Sequence, residues 1–436
     1  MPPSQIVIAA GGKGTRISSE FGTIPKALIP VGGVPVLTRI LELARSHNIK
    51  KALLLVHYQS IEIEEHFGDG SAFGITIKYA YEKQALGNGG ALVNSYAQLE
   101  DIFYYLYGDL VIDVDLRAMA RFHNNRKAEL TMFVHPNDHP HDSDLVGATT
   151  EGRVTQLFGY PHGGQDIQNL VNAALYVVSK SFVANLPLEK LDFAKDAVPL
   201  GLQSKRKIWA YKSREYVKDM GTPERKQKVE RHLASGLVSA RRISNPIPAV
   251  FLDRDGTVIH EKDLLSSPSD IELFDGVADA IRKINESGAL AIMVTNQSVI
   301  ARGLCTEQEL QMIHNRMETL LGKEGAYLDE IYYCPHHPDS GYDGEVSHLK
   351  IKCDCRKPST GMIDTAVATY NIDLSRSWLI GDTTTDIKAA KLAGIKSLLV
   401  ETGYGGKDAK WEVEPDTRAP SLIDAIRIID MDEMAI

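Results

Sequence analysis

The chain lacks any run approaching the ~18 uninterrupted apolar residues of a membrane-spanning helix, and no basic leader precedes its first apolar segment at residues 6–10. A membrane or secreted protein is therefore not expected, and a cytoplasmic enzyme is. Cysteine is scarce: there are four, three of them in one short stretch beside a histidine, which argues against a disulfide-stapled scaffold. Positive charge is in deficit, with 48 Lys and Arg against 57 Asp and Glu, a formal net charge of -9. That balance disfavours nucleic acid and anionic membrane as partners, yet says nothing against small phosphates held locally. Short-period repeats and low-complexity tracts are also missing, which excludes solenoids and disordered arrays.

What is present fits a globular α/β protein. The 436 residues are too many for one ordinary core and suit two domains of roughly 150 to 250 residues. Short apolar runs at 6–10, 53–56 and 103–107 read as buried strands, and they alternate with amphipathic segments such as 35–47. This alternation predicts a mostly parallel sheet covered by helices. A charged helix is expected at 223–232. Gly236, Ser239, Arg241, Arg242, Pro246 and Pro248 then mark a linker over 236–248, so the expected domains are 1–235 and 249–436. From residue 249 the alternation resumes, with strands at 250–252, 289–294, 378–380 and 397–400.

Directly after the first strand comes Gly11-Gly12-Lys13-Gly14-Thr15-Arg16, with Pro25-Lys26 following. Glycines let backbone N–H groups approach a polyphosphate, while Arg16 and Lys26 supply charge-assisted hydrogen bonds as charge moves to a leaving pyrophosphate. With Leu86-Gly87-Asn88-Gly89-Gly90, Gly108-Asp109 and Asp219-Met220-Gly221-Thr222-Pro223, residues 5–232 resemble the sugar-1-phosphate nucleotidyltransferases. The resemblance implies a GT-A-like fold in which Gly11, Gly12, Gly14, Thr15, Gly87, Asn88 and Gly89 contact the nucleotide. It further implies that Asp109 and Asp219 hold Mg2+, and that Asn172 contacts the sugar. The family's Glu-Lys-Pro motif is here Gly159-Tyr160-Pro161, so Lys195 or His162 is expected to replace the missing lysine.

The second chemical signature is Asp253-Arg254-Asp255-Gly256-Thr257 at a strand end. Carboxylates two residues apart allow one to attack phosphorus and the other to protonate the leaving oxygen, with Mg2+ screening the repulsion. Thr295-Asn296-Gln297, Arg356-Lys357-Pro358 and Gly381-Asp382 with Asp386 follow in order, and the set resembles the haloacid dehalogenase (HAD) superfamily. The resemblance makes Asp253 the nucleophile, Asp255 the acid and base, and Thr295 and Lys357 the phosphoryl-oxygen holders. Asp253, Asp382 and the Asp255 carbonyl then bind Mg2+, supported by Asp386. Only 42 positions separate Asp253 from Thr295, so no large cap is expected between them.

Cys334-x-His336, sixteen residues, then Cys353-x-Cys355 has the paired-ligand spacing of a structural Zn2+ site. His337 is expected to stand outside that ligand set, Cys305 to be an ordinary partly buried residue, and His135, His139 and His141 to form a loop. With Asn296, Arg302 and Arg356, the cysteine stretch resembles the D,D-heptose 1,7-bisphosphate phosphatases, in which a zinc-braced loop replaces the cap and directs substrate contacts. Histidinol-phosphate phosphatases share much of the pattern. The pairing suggests consecutive chemistry: a bisphosphate loses its 7-phosphate, and the 1-phosphate then receives NMP. GTP and the α-anomer are expected. The alternatives are a mannose-type guanylyltransferase joined to an unrelated phosphatase, a histidinol-phosphate phosphatase, or a nucleotide-sugar sensor in place of the first enzyme.

Overall fold

The structure is a computed structural model that describes residues 2–12, 24–57, 60–82, 84–341, 343–429, 431 and 434. Two compact units divide the chain. One contains Met1–His135, Asp144–Gly159 and Val171–Ile243; the other contains Pro136–Ser143, Tyr160–Leu170 and Ser244–Ile436.

In the first unit the strands are β1 (Gln5–Ala9), a small ribbon of β2 (Pro30–Val31) and β3 (Val34–Pro35), β4 (Lys51–Val56), β5 (Thr76–Tyr81), β6 (Ile102–Tyr107) and β7 (Leu110–Asp113). They continue as β8 (Leu130–His135), β9 (Leu145–Ala148), β10 (Val154–Phe158), β11 (Val171–Ser179), β12 (Ile208–Lys212) and β13 (Tyr216–Asp219). Among the described residues one sheet runs β10-β9-β11-β6-β1-β4-β5, with β8 joining β11 to β12. β1 lies parallel to β4 and β6, and β4 parallel to β5, but β11 is antiparallel to β6, β8 and β9. The mostly parallel expectation thus holds for one half of the sheet only. β1 is central, and the chain leaves it toward β4 on one side and returns to β6 on the other. Such a reversal leaves a crevice at the strands' carboxyl ends.

Packing follows the sequence periodicities. Val36, Leu37, Ile40, Leu41 and Ala44 recur at helical spacing in the helix Val36–Ser46 and are all buried. Against Leu37, Ile40, Leu41 and Ala44 lie Ile6 and Ile8 of β1 and Leu54 and Val56 of β4. The segment expected as a linker is partly folded onto this unit. Leu237–Ala240 is a helical turn with Val238 buried. Arg214 donates to the carbonyls of Arg241 and Arg242 at 3.1 and 2.9 Å, and Arg242 Nε donates to Asp113 at 2.9 Å. Gly and Pro signalled a chain break, but the arginines' hydrogen bonds hold residues 237–243 in place.

The second unit holds β14 (Ala249–Leu252), β15 (Leu290–Asn296), β16 (Glu330–Cys334), β17 (Trp378–Gly381), β18 (Lys396–Val400) and β19 (Thr417–Ala419). All pairings are parallel in the order β16-β15-β14-β17-β18-β19. This doubly wound arrangement buries both faces: Val250 and Leu252 point into one apolar cluster, Ala249 and Phe251 into another. Its switch point falls between β14 and β17, so the residues after Leu252 and Gly381 meet at one crevice.

Candidate active sites

At that crevice Asp253, Asp382 and Asp386 converge, all buried, with carboxylate oxygens within 4.8 Å of one another. Lys357 Nζ joins them, 2.7 Å from Asp253 Oδ1 and 2.6 Å from Asp386 Oδ1. Asp386 Oδ2 also accepts from the Thr383 backbone N–H, capping the helix Thr384–Ala393, so Thr383 serves the helix terminus. Asp382 Oδ2 accepts from the Tyr404 backbone N–H at 2.7 Å, whereas buried Asp382 Oδ1 has no hydrogen-bond partner among the described residues. Gly256 at φ +75° is required here, because a Cβ would come within 2.2 Å of Asp382 Oδ2.

Three carboxylates against one ammonium leave a buried excess of negative charge. Burial first, and then the neighbouring carboxylates, push Asp253 up to about 7 and Asp382 up to about 8, against the pull of Lys357. Lys357 itself is drawn down by burial, but Asp253 and Asp386 outweigh that and hold it above the ordinary lysine value. An orphaned buried oxygen within an uncompensated all-oxygen donor set suits a hard divalent cation such as Mg2+.

Asp255 lies outside this triad. Its carboxylate accepts from Arg254 and, at 2.8 Å, from Gln297 Nε2. Thr295 is buried beside it. Asn296, expected as a substrate contact, has both amide atoms engaged with the Lys357 backbone, at 2.9 and 3.1 Å, although it still lines the cleft. Its amide therefore fixes where Lys357 leaves the chain. Arg302, Arg356, His337 and Lys410 line the same cleft of ≈ 300 Å³, and Arg356 is steadied by the His336 carbonyl at 3.1 Å. The pocket thus has an acidic floor and a cationic wall.

The cysteine stretch builds that wall. β16 ends in buried Cys334, whose Sγ lies 3.5 Å from Cys353 and 3.2 Å from Cys355, while His336 Nδ1 is 3.3 Å from Cys355 Sγ. These separations exceed the ~2.05 Å of a disulfide and approach the ~3.8 Å between ligands on a tetrahedral zinc. Burial foremost, with hydrogen bonds from the other thiols, holds the Cys334 thiol far up. In Cys353, bonds from Cys355 and Cys334 outweigh burial and bring it below the ordinary thiol value. Four donors of this type in this arrangement suit Zn2+. His337 points into the cleft instead, and Cys305 is a buried free thiol. Val346 N–H bonds the Ala301 carbonyl at 3.0 Å, tying the stretch to the Arg302 turn.

The first unit's crevice is lined by Ala10, Gly11, Gly12, Lys26, His57, Gly87, Asn88 and Asp109, around ≈ 350 Å³. Gly14, Thr15 and Arg16 lie outside the described residues. Lys26 Nζ donates to Asp109 Oδ2 at 2.8 Å. Pairing of β7 with β13 sets Asp219 beside Leu110, and Met220 N–H bonds the Asp109 carbonyl at 3.1 Å, so the two aspartates are backbone neighbours. Their carboxylates have separate partners: Asp219 accepts from Arg225 at 3.0 and 3.1 Å.

In the glycine segment at 87–90, Gly87 and Asn88 reach the crevice, while the following glycines turn to a neighbouring backbone. Gly89 and Gly90 donate their N–H groups to the Leu191 carbonyl at 2.9 and 3.2 Å, and a Cβ on Gly87 would come within 2.6 Å of that oxygen. Asn88 Oδ1 accepts from Phe193 N–H, and Asn88 Nδ2 donates to Asp192. The glycines therefore serve close packing against residues 191–193, and Gly89 does not line the crevice. Asn172 Nδ2 donates to the Tyr176 hydroxyl at 2.9 Å. Half-exposed Lys195 stands 3.9 Å from Asp144, whose carbonyl accepts from Asn172 N–H. His162 bonds the Ser143 carbonyl at 2.7 Å and belongs to the other unit. The sequence reading assigned no role to Arg225, Arg254, Gln297 or His314; only Arg254, standing between two motif carboxylates, and Gln297, two residues after Thr295 in the same motif, carried a signal.

Residues 5–235, more than half of the chain, match the nucleotidyl transferase family, and residues 354–425 match the HAD-hydrolase-like family. The D-glycero-beta-D-manno-heptose-1,7-bisphosphate 7-phosphatase of Haemophilus ducreyi is 40% identical over 184 residues, covering 42% of this chain and 98% of its own. Its Yersinia pestis counterpart is 39% identical over 189 residues, with the same coverage of 42% and 98%. Among solved structures, HddC from Yersinia pseudotuberculosis is 23% identical, with a TM-score of 0.47, covering 53% of this chain and 100% of its own. No described helix is long and apolar enough to cross a membrane. The chain belongs to the nucleotidyl transferase family in its N-terminal half and to the HAD-type heptose bisphosphate phosphatases in its C-terminal half, and it is an enzyme of both kinds.

Proposed function

We propose that the two halves act in succession on one heptose. Residues 249–436 remove the 7-phosphate of D-glycero-D-manno-heptose 1,7-bisphosphate, and residues 1–235 transfer GMP from GTP to the resulting 1-phosphate, giving GDP-heptose and pyrophosphate. The observation that carries the first step is buried Lys357 bridging Asp253 and Asp386 beside a cationic wall of Arg302 and Arg356. The acidic floor suits phosphoryl transfer, and the wall suits a substrate with a second anionic group.

In this reading an Asp253 oxygen attacks phosphorus and the bond to the C7 oxygen breaks, with Asp255 delivering the proton to that oxygen. Water then attacks the aspartyl phosphate while Asp255 takes its proton, releasing phosphate and restoring Asp253. Lys357 and the Thr295 hydroxyl hold the phosphoryl oxygens. Asp253, Asp382 and the Asp255 carbonyl would hold Mg2+, which would supply charge neutralisation when bound. Zn2+ at Cys334, His336, Cys353 and Cys355 is structural.

For transfer, Lys26 and Arg16 offset the triphosphate, and an oxygen of the sugar 1-phosphate displaces pyrophosphate from the α-phosphorus. Positioning and charge supply most of such catalysis, because the nucleophile is already ionised. Asp109 and Asp219, which accept from Lys26 and Arg225 respectively, would hold Mg2+ in this half. Asn172 and Lys195 meet the sugar phosphate.

The test is to give the purified protein each anomer of the bisphosphate with each nucleoside triphosphate, following phosphate and pyrophosphate separately. The relatives carry the β-anomer in their names, whereas pairing with a guanylyltransferase favours α; side-by-side rates decide. Asp253→Asn should abolish phosphate release while heptose 1-phosphate and GTP still yield pyrophosphate. A bisphosphate that proves inert in both anomers refutes the reading.

A further inference from the structure

Arg254 lies between the two motif carboxylates and is only 1% exposed, one of the largest fully buried side chains among the described residues. A guanidinium so placed needs acceptors for its rigid fork of donors. Nε and Nη2 donate to the Asp255 carboxylate at 2.9 to 3.2 Å, Nη2 also donates to Gln297 Oε1 at 2.8 Å, and Nη1 faces His314 Nε2 at 3.4 Å. His314 is buried, and burial together with Arg254 holds its pKa well below the ordinary value, so a neutral ring offers Nε2 as the acceptor.

The arrangement fixes the Gln297 amide. Reversing it would set Nε2 against the guanidinium, donor against donor, so Oε1 faces Arg254 and Nε2 faces the other way. That nitrogen then donates both of its protons, to Asp255 Oδ2 at 2.8 Å and to Thr295 Oγ1 at 2.8 Å. A hydroxyl that accepts from Gln297 directs its own proton elsewhere. For Thr295 the open direction is the cleft that Thr295, Asp253 and Lys357 line.

We infer that Gln297 is a positioning residue, oriented by Arg254, that couples the phosphoryl-holding hydroxyl of Thr295 to the proton-transferring carboxylate of Asp255. The inference rests on the phosphatase reading above and adds to it. One side chain sets both the direction of the Thr295 proton and the placement of the Asp255 carboxylate, so the two functions are lost together when its donors are removed.

Gln297→Met keeps the side-chain length and removes both donors; Arg254→Lys keeps the buried charge and loses the fork that orients the amide. Each variant is assayed as the full chain with the heptose bisphosphate and with p-nitrophenyl phosphate, whose leaving group needs no proton. Comparing kcat/KM confines the readout to the steps through phosphoenzyme formation. Both variants should lose on the order of 10²-fold on the sugar phosphate, and at least about tenfold less on the aryl ester, because the part acting through Asp255 drops out there. Equal losses on the two substrates, as from a general packing defect, overturn the inference, as does wild-type activity of Gln297→Met. Asp253→Asn is the control: activity that survives it on either substrate refutes the phosphatase reading itself rather than the coupling.

Discussion

Removing divalent cations should make the protein less stable as pH rises, through the acidic floor of the phosphatase cleft. Without a cation, burial and carboxylate neighbours push Asp253 up to about 7 and Asp382 up to about 8, from an ordinary value of 3.8. The folded state then keeps protons that the unfolded chain has released, so the stability these groups contribute is present below pH 3.8 and lost as pH climbs to between about 7 and 8. Within that window each carboxyl costs about 1.4 kcal/mol per pH unit, which for two groups between about pH 5 and pH 7 sums to about 5 kcal/mol. For a domain of 150 to 250 residues that corresponds to a fall in Tm of roughly 10 to 20 °C. Calorimetry at both pH values, with EDTA and with excess Mg2+, reads the effect directly. The Mg2+-induced rise in Tm should be much larger at the higher pH. Asp382→Asn, which removes one of the two carboxyls, should roughly halve the slope in EDTA. A Mg2+ effect equal at both pH values, or an unchanged slope in Asp382→Asn, would refute the reasoning.

Other outcomes follow from the same geometry. Lys357→Met leaves Asp253 and Asp386 without their shared ammonium; phosphate release should fall by more than about 10²-fold and metal-free stability by about 3 to 5 kcal/mol, checked by kinetics and denaturant titration. Cys353→Ser removes one of four clustered donors, so elemental analysis should show loss of bound zinc, and the phosphatase unit should melt earlier than in wild type. Arg225→Ala removes the guanidinium that donates to Asp219. The Mg2+ concentration giving half-maximal nucleotidyl transfer should drop, and a rise would show that Arg225 does not compete with the ion.

The phosphatase centre was legible because its chemistry sits in short motifs at strand ends. A parallel strand order then carries Asp253, Thr295, Lys357 and Asp382 to one edge whatever the intervening length. Asn296 was read as a substrate contact; it does line the cleft, but its amide also bonds a backbone 61 positions away, and nothing local announces that partner. In the transfer half, Gly87, Asn88 and Gly89 were read as contacts to the nucleotide base; Gly87 and Asn88 do line the crevice, whereas the N–H groups of Gly89 and Gly90 meet the Leu191 carbonyl. A glycine permits close approach without saying to what. Arg225 escaped notice because a charged residue early in an exposed helix has the same sequence signature whether or not it turns back onto a carboxylate.

The residue order by itself determined the two-part α/β organisation, the ordered strand-end motifs and the paired spacing of the clustered cysteines and histidine, because periodicity, strand-end carboxylates and residue spacing are local properties. Tertiary structure alone decided the antiparallel half of the first sheet, the packing of residues 237–243 onto the first unit, and which polar groups are satisfied and which are left facing a cleft. Those outcomes depend on hydrogen-bond partners brought in from distant segments, and a buried polar group's role is set by the partner it finds.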